Sequence, residues 1–403
     1  MISDTPPAIA ARLMSEFARR TGLSPAAENP RRYLWTDAFA VCNFLELFQR
    51  TEDHQYSACA TELIDQVHRV LGRYRDDDMR RGWISGLDDE RGRYQPTVGG
   101  LRIGKPLRER DANEVIDERL EWERDGQYFH YLTKWMHALC QTDFVTSNHQ
   151  YVRWAGELAE TAFRAFARRS GSGEIRGVRW KMSTDLSRSF VPAMGLHDAL
   201  DGYITFREVQ YGIAKIQTHP EGNGLDQASK ALLALCQDGD WTTDDPLGVG
   251  GLLFDACRLS QLIREEQLRE LRLLEVVIKG CHQGLTLLLE RGYLNWPVPH
   301  RLAFRELGLA TGLRALPIIT DAVEKNWSTF ENRPALARTI DLLLQYESLS
   351  DEIVGLWLPR AQHQYEGWKA HEDINDVMLA TAIIPDTFLS VGGRLQIRRC
   401  RGR

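Results

Sequence analysis

Apolar and polar positions follow a helical period along nearly the whole chain, and strand-like alternation is confined to short pieces such as EIRGVRWKMS near 174–183. The helices so predicted fall into two kinds. Ala8–Arg20, Ser57–Tyr74, Gln150–Arg169, Leu225–Gln237, Glu265–Arg291 and Ala335–Tyr346 each carry one charged side, the pattern of a helix with one wet face. Thr36–Phe48, Gln127–Cys140, Pro192–Phe206, Pro246–Ile263, His300–Leu313 and Glu372–Ile384 are apolar or small-residue-rich on most sides and require enclosure. The two kinds alternate about six times along the chain. One longer interval separates the first two enclosed helices.

This alternation predicts an all-α repeat, and six hairpins of one enclosed and one exposed helix make a closed double ring, an (α/α)6 barrel. The barrel would take in residues 1–403 as a single domain, its inner ring covered by the outer one. An open solenoid would instead leave each enclosed helix bare along a concave face. Runs such as LGVGGLLFDACRL favour closure, and their glycines permit close packing. Residues 74–114, rich in Gly, Arg and Asp, are too polar for a core and read as an insertion between the first and second inner helices. It is either a lid whose Trp83, Tyr94 and Arg102 cover a central funnel, or a solvated loop held by Arg–Asp pairs.

Composition narrows the function classes. The chain is 403 residues long, 43% hydrophobic and 26% charged, with 11 Trp and no visible linker, which fits one large globular architecture. Its net charge is −6 with Arg scattered among Asp and Glu, so no nucleic-acid partner is expected. The N-terminal stretch MISDTPPAIAARLMSEFARR has no signal-peptide core, and no apolar run is long enough to span a bilayer. The expectation is a cytoplasmic chain without a membrane partner. The seven cysteines form no CxxC pair and sit mostly in apolar runs, as buried thiols do. With no GxGxxG after a strand, no P-loop and no HExxH, neither cofactor nor metal is expected. Oligomeric state is not encoded in any of these features.

In such a barrel the N-termini of the inner helices share one mouth, and polar residues gather there. The first entrance offers Trp35 and Asp37, and the second Tyr128, His130, Tyr131 and Trp135. The third offers Arg188, His197 and Asp198, the fifth His300, Arg305 and Glu306, and the sixth Trp368, His371, Asp373 and Asp376. Capping accounts for part of this set: Thr36 as an N-cap, Asp37 and Asp373 beside a helix dipole, Asp245-Pro246 as cap and first-turn proline. Lone histidines beside apolar neighbours are commonly satisfied core groups.

The six inner helices, the acidic and aromatic mouth and the long insertion resemble the six-hairpin glycosidase-like superfamily, and YLWTDAF resembles the W-x-D starts of several such glycosidases. The resemblance implies a carbohydrate-binding funnel, a small-molecule sugar as partner, and two carboxyl groups flanking a glycosidic bond. Candidates are Asp37, Asp198, Glu306, Asp373 and Asp376, with Asp198 and Asp373 the favoured acid/base pair. Inverting hydrolysis needs the two carboxyls about 6.5–9.5 Å apart to admit water. Two alternatives stand beside it. A sugar 2-epimerase on the same fold would exchange protons through paired histidines drawn from His130, His197, His300 and His371. A non-catalytic scaffold would have its mouth carboxylates spent on caps and ion pairs.

Overall fold

The structure, a computed structural model, describes residues 5–392 apart from 112, 116, 192, 217–223, 238, 267 and 326–332. The chain divides into two compact units, Ala18–Gln237 (the central unit) and Met1–Phe17 with Asp238–Arg403 (the terminal unit). The division falls within the first helix, α1 (Pro6–Thr21).

The central unit is an arc of three helical hairpins. Its inner helices are α2 (Leu34–Thr51), α4 (Phe129–Thr146) and α6 (Asp198–Ile216); the outer ones are α3 (His54–Leu71), α5 (Gln150–Phe166) and α7 (Leu225–Leu235). Helix α4 packs against both α2 and α6, and α3, α5 and α7 back α2, α4 and α6 in turn. Every residue of α2 from Leu34 to Leu47 is buried, as its all-round apolar sequence requires.

Helix α2 starts two residues before the expected Thr36. The extended Tyr33 is its N-cap and has no capping side chain, but Asp37 reaches back to accept the Tyr33 N–H at 2.9 Å. That bond satisfies a backbone donor the helix leaves open, so capping falls to Asp37 instead of Thr36. Helix α6 likewise begins at Asp198, later than the expected Pro192, which lies outside the described residues. The preceding stretch is drawn into a small antiparallel sheet of β1 (Gln127–Tyr128), β4 (Lys181–Met182) and β5 (Ser189–Val191), with Tyr128 opposite Lys181 and Lys181 opposite Val191. A separate hairpin joins β2 (Ala167–Arg169) to β3 (Ile175–Val178).

The insertion is built into this unit. Its Leu101 and Ile103 are fully buried, and Ile103 accepts the Leu34 N–H at the start of α2 (3.0 Å) while donating to Gly126 O (2.8 Å). Arg102 pairs with the buried Asp125 at 2.5 Å and also donates to Val70 O and Arg73 O at the end of α3. Trp83 is buried and Tyr94 is exposed. Of the three side chains expected over a funnel, Trp83 and Arg102 therefore serve as anchors: the apolar residues between the charges supply a local core.

The terminal unit repeats the plan with α8 (Pro246–Glu266), α10 (Ala303–Leu313) and α14 (Glu372–Ile383) as inner helices. Helix α10 lies against both α8 and α14. Behind them stand α9 (Leu271–Glu290), α11 (Leu316–Lys325) and α13 (Leu349–Trp357), while α12 (Pro334–Leu344) packs on α9 and α11. Helix α10 begins at Ala303, not at His300, because His300 closes a separate 3-10 turn over Val298–His300.

Helices α8 and α10 meet backbone to backbone. A Cβ on Gly250 would fall 2.2 Å from Gly308 O, and one on Gly312 would fall 2.6 Å from the Gly250 Cα. The obstacles are main-chain atoms and cannot rotate aside. Gly250→Ala is therefore expected to destabilise the protein by about 1–3 kcal/mol through overpacking, outweighing the roughly 1 kcal/mol that alanine adds as a helix former. Gly251, next in the chain, has nothing within 4 Å of a built Cβ, so Gly251→Ala should stabilise. Urea denaturation of the two variants is expected to give changes of opposite sign.

Candidate functional site

Asp198 opens α6, and its carboxylate accepts the Gly195 N–H at 3.0 Å. The side chain is only 7% exposed. Burial pushes its carboxyl from 3.8 up to about 7; the nearby Asp201 adds to the rise, while the Gly195 N–H and the Lys134 ammonium oppose it. Asp201 itself is held by Lys134 at 2.7 Å and by the Thr133 hydroxyl. The entrance to α4 and α6 thus contains one carboxylate neutralised by a lysine and one carboxyl poised to carry a proton near pH 7.

His130, in the first turn of α4, places Nδ1 3.9 Å from Asp198 Oδ1. The Trp180 indole N–H donates to that same Nδ1 at 3.2 Å, and the two rings lie within 23° of parallel. Trp180 stands between β3 and β4, and its carbonyl accepts the Phe129 N–H, so the small sheet delivers the indole to the start of α4. Burial draws the His130 pKa down, helped by Lys134 and opposed by Asp201. A third of its surface nevertheless stays open, the side chain being 30% exposed.

Aromatic rings surround this pair. Tyr128 stacks on His130 at 5.4 Å and lies 5.1 Å from Tyr131; Trp122, half exposed, meets Trp180 edge-on at 4.9 Å. The Tyr33 and Tyr131 hydroxyls are 2.6 Å apart, and Lys105 of the insertion sits 5.6 Å from the Tyr33 ring. Burial raises both phenols, Tyr33 to about 12. The result is a partly open, aromatic-walled entrance with a few convergent polar groups, the general form of a small-molecule site.

The other candidates of the central unit have surroundings of their own. Asp37 caps α2 and sits 3.6 Å from Arg32, and Trp35 packs on Phe39. Trp135 is fully buried, its indole N–H donated to His68 Nε2 at 3.1 Å. Arg188 lies over Phe190 and donates to Arg110 O of the insertion. His197 directly precedes Asp198 and is half buried; its carbonyl accepts the Asp201 N–H.

The terminal unit has its own entrance. Asp245 caps α8 by accepting the Gly248 N–H at 2.9 Å and also holds Arg305. Phe304 meets His371, the residue before α14, at 5.4 Å; Asp373 is half buried in the first turn of α14 and Asp376 is buried one turn further in. Glu306 is fully buried and accepts from Arg301 twice and from the Trp357 indole. Trp368 is buried, stacked on His363 at 3.7 Å, and His300 is exposed in its 3-10 turn.

Sequence reading missed Trp180, Trp122 and Tyr33. Trp180 had a usable signal, since it falls in the strand-like piece 174–183, and Tyr33 immediately precedes the first inner helix.

Comparison with family models and with curated protein sequences gives no match. Solved structures do match. A GH76 α-mannanase from Bacteroides thetaiotaomicron is 8% identical with a TM-score of 0.50, covering 94% of this chain and 97% of that one. A family 76 glycoside hydrolase from a bovine Bacteroides thetaiotaomicron strain is 9% identical with a TM-score of 0.50, covering 96% and 78%. A D-mannose isomerase is 12% identical with a TM-score of 0.43, covering 81% and 83%. The fold is all-α, of the (α/α)6 kind seen in the two family 76 structures, with the polar insertion between the first two inner helices. No described helix is long and apolar enough to cross a membrane.

Proposed function

We propose that this chain is a carbohydrate-active enzyme, a glycoside hydrolase in which Asp198 is the general acid. The observation that carries this reading is a buried carboxyl, protonated near neutral pH, at an aromatic-walled helix entrance beside a partly exposed histidine. A general acid works best when its pKa lies near the working pH, and a glycosidic oxygen needs such a proton as the bond breaks. Tyr131 and Trp122 offer surfaces for a sugar ring, Tyr128 backs His130 from the interior, and His130 offers a hydrogen bond to a hydroxyl. The fold it shares with two family 76 hydrolases supports the class.

The test is incubation with a panel of oligosaccharides, α-mannans among them because one protein of this fold is an α-mannanase. Release of reducing sugar in H218O with the label at C1 is expected. Deuterium incorporation at C2 of a monosaccharide in D2O, without bond cleavage, would replace the hydrolase by the 2-epimerase.

A further inference from the structure

The structure assigns Trp180 as a positioning residue that fixes His130 as the Nε2–H tautomer, making this histidine a hydrogen-bond donor and not a proton acceptor. An indole N–H can only donate, so the 3.2 Å bond from Trp180 to Nδ1 requires a lone pair on Nδ1. In a neutral imidazole the proton then sits on Nε2. The groups around the ring agree. From α4, Lys134 disfavours an added proton, and the carboxylate of Asp201 from α6 is already neutralised by that lysine. Asp198, also from α6, stands 3.9 Å from Nδ1, beyond hydrogen-bond reach, and Tyr128 and Tyr131 supply ring faces and edges. Among the described residues the polar contacts of the His130 ring fall on Nδ1, and none is a hydrogen bond to Nε2. The indole is held independently of the ring: the Trp180 carbonyl accepts from Phe129, and its N–H donates to Val191 O at 3.2 Å and Ala193 O at 2.9 Å.

The consequence deepens the proposed function and rests on the same site. A paired-histidine epimerase needs a ring nitrogen with a free lone pair at the carbon it deprotonates. Here one lone pair is engaged by Trp180 and the other nitrogen carries the proton. His130 is thereby left to orient a sugar hydroxyl while Asp198 handles the proton.

The test needs no substrate, so its failure and the failure of the hydrolase reading can be told apart. Protein labelled with 15N-histidine is examined by long-range 1H–15N correlation at pH 7.5, with His130→Gln used to identify the His130 signals. The expected pattern is protonated Nε2 with an unprotonated, hydrogen-bonded Nδ1. Trp180→Phe keeps the ring and removes the donor, and should shift the Nδ1 signal downfield toward a free lone pair or give a mixture of tautomers. A protonated Nδ1 in the unsubstituted protein overturns the assignment even if the variant fails to fold. So does an unchanged His130 pattern in folded Trp180→Phe.

Discussion

Replacing Asp198 by asparagine is expected to slow turnover at least a hundredfold and, above neutral pH, to stabilise the protein. The first effect follows from the proposed role: without a transferable proton, kcat should fall by about 10²–10⁴. The second follows from linkage. Burial raises the Asp198 carboxyl from 3.8 to about 7 in the folded state. Between those values the native state holds a proton that the unfolded chain has released, so native stability falls as pH rises through this window. Each unit is worth about 1.4 kcal/mol, so ionising Asp198 inside the fold costs roughly 4 kcal/mol at pH 8, an upper figure because water and side chains relax around the charge. Asparagine carries no charge at any pH and still accepts the Gly195 N–H. The gap in unfolding free energy between Asp198→Asn and the parent should therefore widen by about 2–3 kcal/mol from pH 5 to pH 8. A gap that stays constant over that range would show that Asp198 ionises normally and would remove the acid from the mechanism.

The fold was legible because its main constraint acts on whole helices. A segment such as Ala38–Leu47 is apolar on nearly every side, with only Asn43 and Glu46 to interrupt it, and enclosure is what makes it stable, so the alternation of enclosed and one-sided helices reported the hairpins. What escaped was anything set by local competition. Ser189–Val191 was read as the approach to a helix and is a strand, because pairing with Lys181–Met182 satisfies its backbone. Helices α11 and α13 were not placed, being short elements whose burial depends on neighbours far along the chain.

The site was legible in part, for a related reason. Position along an inner helix can be read from sequence, which put Asp198, His130, Tyr128 and Tyr131 near the α4 and α6 entrances. The direction a side chain takes cannot be read when every side of the helix is apolar. Trp135 lies one turn after Tyr131 and points instead into the core against His68. Trp180 reaches His130 through strand pairing across some fifty residues of chain, a relation that no local period carries.

Glu306 provides the sharpest contrast between a carboxylate in the right place along a helix and one with a free role. Its oxygens take both Arg301 contacts at 2.6 Å and the Trp357 indole N–H at 2.8 Å, and Arg301 also donates to Leu294 O. Both partners are buried, Glu306 completely. Glu306→Ala would leave a guanidinium in the interior without a counter-charge and an indole N–H without an acceptor, an expected loss of about 3–5 kcal/mol. Glu306→Gln combined with Arg301→Met should recover much of it, because the amide oxygen still accepts from Trp357 and no isolated charge remains. Denaturation midpoints measure the loss, and kcat measured on the folded fraction separates the roles. If Glu306 holds the fold, the double variant turns over at close to the parental rate; a fall of a hundredfold or more with stability restored would show that Glu306 does more than hold Arg301 and Trp357 in place.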